Sequence, residues 1–195
     1  MGLSNRFEQA FQFAFELHRD QLRKGSQVPY IAHLMAVASL VVEDGGSEDE
    51  AIAALLHDAP EDQGGQPVLD EIRRRFGENV AQIVDGCTDT YETPKPAWRE
   101  RKERYLAHLR YAAADVRRVS LADKIHNARS ILDDLRRDGD EVWGRFKGGK
   151  EGSLWYYRAL VEVLKEFGVT PMWVALDEVV HRIEMYENPS TKENE

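Results

Sequence analysis

Residues 57–62 read His57-Asp58-Ala59-Pro60-Glu61-Asp62, an imidazole and three carboxylates within two turns of chain. Such groups are costly to desolvate, and folded proteins rarely crowd them together unless something binds them. A divalent metal ion meets that need, provided that further ligands arrive from elsewhere. The chain offers His33 upstream and Asp123 downstream. This condition constrains the fold, because three separate segments must meet at one point. His57 and Asp58 are adjacent, so on a helix they stand about 100° apart, close enough to reach one ion. His33 and Asp123 fall in other helical patterns, so the site would tie three helices together.

Helical periodicity runs through nearly the whole chain. Phe7, Phe11, Ala14 and His18 predict one face of a first helix that stops at Gly25. Ile31, Met35, Ala38 and Val42 recur at helical spacing after Pro29 and predict a second. Ser47 followed by Glu50 is a capping-box pattern for a third, which reaches to about Ala59. Pro60 cannot donate the next helical hydrogen bond, so Glu61 and Asp62 are expected on the turn beyond. Further helices are predicted over residues 68–76, 79–85, 97–114, 119–136, 153–167 and 171–187. Stretches 63–67 and 90–96 contain helix-breaking Gly or Pro, and the polar residues 188–195 are expected to be disordered. Alternating β-branched runs and internal repeats are absent. The expectation is one all-α domain, a helical bundle over residues 1–187.

With 195 residues, 42% of them hydrophobic and 31% charged, the chain can bury a sizeable core. Its net charge of -9 argues against a general binder of nucleic acid or of anionic membranes, since both rely on a basic surface. A small phosphorylated substrate remains compatible, because it needs only a local basic patch. Apolar runs such as 51–56 are too short to span a bilayer. Glu8 and Glu16 within an amphipathic pattern are unlike a secretory signal. Cys87 is the single cysteine, so no intramolecular disulfide forms and a cytoplasmic location is expected.

Two imidazoles with two carboxylates favour a transition metal such as Mn²⁺, Fe²⁺ or Zn²⁺ over Mg²⁺. Without a thiolate the set is unlike a structural zinc site. His33 alone would pass as an ordinary structural group, and His18, His108 and His181 read as cap, surface or supporting groups. His126 could support the centre from beside Asp123. The pair at His57-Asp58 followed by Glu61-Asp62 is not explained in such terms, and the set looks like that of a metal-dependent phosphohydrolase.

Several motifs occur in order: Phe13-Ala14 through His18, Gln21-Leu22-Arg23-Lys24, Pro29-Tyr30-Ile31-Ala32-His33 and Ala54-Leu55-Leu56-His57-Asp58. Glu61-Asp62, Phe76-Gly77, Thr88-Asp89 and Leu121-Ala122-Asp123-Lys124-Ile125-His126-Asn127 follow. Together, over residues 5–135, they resemble the HD-domain hydrolase of RelA/SpoT-type alarmone enzymes, particularly the stand-alone small alarmone hydrolases. The resemblance implies Mn²⁺-dependent removal of pyrophosphate from the ribose 3′ position of ppGpp or pppGpp, leaving GDP or GTP. It implies metal ligands at His33, His57, Asp58 and Asp123, and a water-activating pair at Glu61 and Asp62. It further implies base and phosphate contacts at Arg23 and Lys24, a ribose contact at Asn127, and a pocket-bordering aromatic at Tyr156. The implied partner is a small nucleotide, with adenine alarmones as possible additional substrates. The length leaves no room for the synthetase domain of bifunctional members, so degradation alone is expected.

The implied chemistry suits these residues. An ion polarises the phosphoryl oxygens and acidifies water, and Glu61 or Asp62 can accept the proton. Arg23 and Lys24 are the leading cations, with Lys95, Arg99, Arg101, Lys102, Lys147 and Lys150 behind them. Arg23-Lys24 would equally suit a helix C-terminus. The family more often has Thr or Val where this chain has Ala59-Pro60, and segments 98–104 and 144–157 are particular to it or to a subgroup. Two other readings compete: a phosphatase of the same fold acting on NADPH or deoxynucleoside monophosphates, and a non-catalytic nucleotide sensor.

Overall fold

The structure, a computed structural model, describes residues 2–92 and 94–186. Every regular element among them is a helix, as the periodicity predicts, and one isolated antiparallel bridge joins Leu22 to Pro29. The expected disordered tail, 188–195, lies outside the described residues. The chain divides into two compact units, one of residues 1–97 and 111–123, the other of 98–110 and 124 onward. None of the described helices is long and apolar enough to cross a membrane.

The first unit holds α1 (Asn5–Leu17), α2 (Ile31–Glu43), α3 (Glu48–Leu56), α4 (Ala59–Gln63), α5 (Gln66–Phe76) and α6 (Glu78–Cys87). α7 (Trp98–Leu109) belongs to the second unit, and α8 (Ala114–Asp138) supplies residues through Asp123 to the first and from Lys124 to the second. At the centre of the first unit is α3, packed against α1, α2 and α6. Ala51, Ile52, Ala53, Ala54, Leu55 and Leu56 are all at most 1% exposed, so this helix is buried on every side. Its three alanines let neighbouring helices approach closely. Its start is fixed by the predicted capping box: the Ser47 hydroxyl accepts from the Glu50 N–H (3.2 Å), and the Glu50 carboxylate accepts from the Ser47 N–H (2.6 Å). Arg118 ties α8 to the same place, donating to Glu50 and to Asp44 (2.9 Å).

Two sequence expectations are corrected in this unit. The first helix ends at Leu17, not at Gly25, and Arg23 and Lys24 lie on a reversing turn. Arg23 N–H donates to Val28 carbonyl and Tyr30 N–H to Gln21 carbonyl, both at 2.8 Å. Gly25, at φ 75, supplies the left-handed residue that the reversal needs. The buried stripe of α1 is Ala10, Phe13 and Ala14, with Phe7 and Phe11 only half-buried. Second, α3 ends at Leu56, and a short α4 begins at Ala59 with Pro60 in its first turn. Glu61 and Asp62 therefore stand on a helix and not on a turn. Proline blocks a helix interior but is well suited to a helix start, where its missing N–H costs nothing.

The second unit adds a 3-10 helix (Gly139–Arg145), absent from the sequence reading, then α9 (Gly149–Lys165) and α10 (Pro171–Glu184). α9 packs on α7 and α10. Tyr105, Leu106 and Leu109 of α7 meet Tyr156, Leu160 and Val163 of α9 in one buried cluster. The Trp98 ring lies against Gly148, where an added Cβ would come within 2.7 Å of it. Thr170 caps α10 by accepting from Trp173 N–H (3.1 Å), and the Trp173 indole donates to the Val161 carbonyl (2.9 Å).

Candidate metal centre

Four side chains of the first unit converge where α2, the α3–α4 junction and α8 supply them. His33 Nε2 is 3.5 Å from Asp58 Oδ2 and 3.2 Å from Asp123 Oδ1. His57 Nε2 is 3.0 Å and 3.6 Å from the same two oxygens. His33, His57 and Asp123 are buried and Asp58 is partly open to solvent. These are the four residues whose identities pointed to a metal, and the fold brings them together.

The local backbone explains their aim. His57 closes α3 and Asp58 occupies the N-cap position of α4. An N-cap aspartate ordinarily accepts from its own helix, yet the Asp58 side chain makes no cap hydrogen bond. Its Oδ2 accepts instead from the Tyr30 hydroxyl at 2.6 Å and faces the two imidazoles. His57 Nδ1 lies 2.8 Å from the Ala54 carbonyl, which can only accept, so Nδ1 carries the proton and the Nε2 lone pair points into the cluster. That Nε2 is buried with no hydrogen-bond partner among the described residues, since a lone pair facing carboxylate oxygens finds no donor there.

An orphaned, buried nitrogen with a fixed tautomer, facing two carboxylates, fits a divalent cation. The electrostatics agree. Burial pushes the His57 imidazole down, but the adjacent Asp58 and Asp123 carboxylates outweigh it and hold it well above the usual histidine range. Burial pushes the Asp58 carboxyl up, and His57 and His33 reverse this, leaving it well below the usual carboxylate range. The pocket thus favours positive charge, which a divalent metal ion would supply.

Beside this cluster, the α4 carboxylates have different environments. Glu61 Oε1 accepts from Lys95 Nζ at 2.8 Å. Asp62 Oδ2 accepts from Gln21 Nε2 at 2.8 Å, while burial and the neighbouring Asp58 charge push its carboxyl up. The Arg23 guanidinium stands 5.6 Å over the Tyr30 ring, whose hydroxyl holds Asp58. Lys24 follows on the same exposed turn. Asn127 lies on α8 within the second unit and is half-buried. Tyr156, also in the second unit, is buried among Trp98, Trp155 and Tyr157, and its hydroxyl has no hydrogen-bond partner among the described residues.

Three residues in contact with one another and with the site carboxylates were not assigned as site residues from the sequence: Tyr30, which donates to Asp58, Gln21, which donates to Asp62, and His18, whose Nδ1 lies 2.6 Å from Gln21 Oε1. Their signal was their place within the quoted motifs, next to residues that were assigned. Lys95, ranked only as a second-tier cation, turns out to be the partner of Glu61.

Known proteins place the chain in a family. The HD domain family matches residues 10–153. The guanosine-3′,5′-bis(diphosphate) 3′-pyrophosphohydrolase MESH1 of Xenopus tropicalis is 38% identical over 138 residues, 69% of this chain and 72% of that protein. The human protein of the same name is 35% identical over 142 residues, 71% of this chain and 74% of that protein. Among solved structures, a metazoan ortholog of SpoT superposes with a TM-score of 0.78 at 24% identity, covering 95% of this chain and 99% of that one, a likeness of fold. The chain therefore belongs to the HD-domain family, in the same group as the MESH1 hydrolases.

Proposed function

We propose that this protein hydrolyses guanosine-3′,5′-bis(diphosphate) at its 3′ position, releasing pyrophosphate and leaving GDP, with GTP from the pentaphosphate. The observation that carries the reading is the His33, His57, Asp58 and Asp123 cluster with the Glu61-Asp62 pair one helical turn away, in a chain of this family. His33, His57, Asp58 and Asp123 would hold a divalent ion, and the mixed nitrogen and oxygen donors favour Mn²⁺. Such an ion supplies Lewis-acid polarisation of the phosphoryl oxygens when bound.

The remaining steps belong to the chain. Asp62, raised by burial, is the better proton acceptor of the pair, and Glu61, fixed by Lys95, orients the attacking water. Water adds to the phosphorus joined to ribose O3′, its proton passes to the Asp62 carboxylate, the P–O3′ bond breaks, and O3′ takes up a proton to restore the hydroxyl. Arg23 and Lys24 contact base and phosphates. A guanidinium stacked on a π-face reads purines without reading base edges, so adenine alarmones are further substrates. Asn127 and Tyr156, to which the family resemblance assigns the ribose contact and the pocket border, lie in the second unit.

The test is product chromatography with ppGpp, its adenine analogue, NADPH and deoxynucleoside monophosphates after loading with Mn²⁺. Intact pyrophosphate and GDP from ppGpp are expected. Orthophosphate from NADPH or deoxynucleotides, with ppGpp untouched, overturns the substrate assignment.

A further inference from the structure

His18 is a buried histidine, 2% exposed, that caps α1 and stands outside the metal cluster. Its Nδ1 lies 2.6 Å from Gln21 Oε1, and Gln21 Nε2 donates to Asp62 Oδ2 at 2.8 Å. The chemistry of the acceptor fixes every proton in this chain. An ionised carboxylate can only accept, so the Gln21 amide must turn its NH₂ toward Asp62 and its oxygen toward His18. That oxygen also accepts from Gln63 Nε2. His18 Nδ1 must therefore carry the proton, and Gln63 Nε2, 3.4 Å from it, faces a second donor and makes no bond there. Burial lowers the His18 imidazole, which keeps it neutral in this tautomer. The ring is held in place by stacking on Tyr30, 5.2 Å between centroids at 18°.

We propose that His18 and Gln21 are positioning residues, which lock the orientation of the Asp62 carboxylate through a one-way hydrogen-bond relay. This rests on the reading of Asp62 as proton acceptor. Asp62 sits on a five-residue helix and is exposed, so its side chain needs an external brace to face one direction. The amide of Gln21 gives Asp62 one hydrogen bond, and His18 with Gln63 prevents that amide from flipping.

The experiment compares Gln21→Met, His18→Phe and His18→Asn in the wild type and in an Asp62→Asn background, reading kcat, KM for ppGpp, bound metal and Tm. Gln21→Met keeps the shape and removes the donor, so kcat should fall about 10- to 100-fold, as for a lost hydrogen bond to a charged group. KM and metal content should hold. His18→Phe should behave similarly, whereas His18→Asn, whose amide can donate from the place of Nδ1, should restore most of the turnover. In the Asp62→Asn background the Gln21 and His18 substitutions should cost nothing more. An equal penalty in both backgrounds, or a loss of kcat that tracks Tm or bound metal, overturns the relay. If Gln21→Met does not fold, Gln21→Leu carries the same test, because it too lacks the donor and adds no charge. Asp62→Asn with wild-type kcat overturns the proton-acceptor role itself. An impaired Asp62→Asn with a silent Gln21→Met overturns the relay alone.

Discussion

Asp58 is an aspartate at a helix start that leaves the cap unmade, and the Tyr30 hydroxyl explains how that is tolerated. The phenol gives Asp58 Oδ2 a fixed direction toward His33 and His57. Removing it in Tyr30→Phe leaves the ring stack on His18 and deletes only the hydrogen bond. Metal affinity should fall roughly 10- to 100-fold, as it does when a ligand loses an outer partner, with helicity unchanged. Metal titration of the apo protein reads this directly, and equal affinities for the two proteins would refute it. Asp58→Ala and Asp123→Ala remove an anionic ligand each and should abolish tight binding altogether. The four side chains that converge here, His33, His57, Asp58 and Asp123, were legible in the sequence because their identities and order point to metal chemistry. Tyr30, Gln21 and His18 were not, since their contacts depend on how the chain reverses between Leu17 and Ile31, and helical periodicity says nothing about such a turn.

At the scale of elements, the N-terminus of α3 is anchored by its capping box and by Arg118, and the anchor is ionisable. Burial pushes the Glu50 carboxyl up, but the Ser47 N–H and hydroxyl and the Arg118 guanidinium outweigh it and leave it below the usual range. A carboxyl lowered on folding stabilises the protein above its unfolded pKa, about 4.3, and the contribution disappears as pH falls through the lower folded value. Glu50→Gln should therefore reduce stability by about 1–3 kcal/mol at neutral pH. The gap to wild type should close progressively below about pH 4. Denaturant melts at several pH values check this, and a pH-independent gap would assign the effect to packing. The capping box was readable because Ser47 and Glu50 are local to one turn. The α3–α4 break was not, because a proline marks a boundary without saying whether a turn or a new helix follows. The 3-10 helix at Gly139–Arg145 escaped for a similar reason: it is too short for periodicity to register.

At the scale of the whole molecule, the all-helical class followed from periodicity summed over many residues, where single misplaced boundaries do not matter. The division into two compact units left no such trace, because neither Gly/Pro-rich linkers nor a shift in composition marks it. The proposed metal ligands come from positions far apart in sequence, on α2, the α3–α4 junction and α8. An unfolded chain cannot present them together, so an ion binds the native state and stabilises it by mass action. At a free metal concentration 100 times Kd this amounts to about 2.7 kcal/mol, or roughly 5–10 °C in Tm for a chain of this size. Chelation should lower Tm by that order, and returning Mn²⁺ should restore it. Amides of α2 and α3 should lose hydrogen-exchange protection in parallel. The Asp123→Asn variant separates this from nonspecific effects of chelator, because its Tm should respond to neither treatment. A wild-type Tm that stays the same with and without chelator would mean that the cluster binds no ion tightly enough to matter, whatever its geometry.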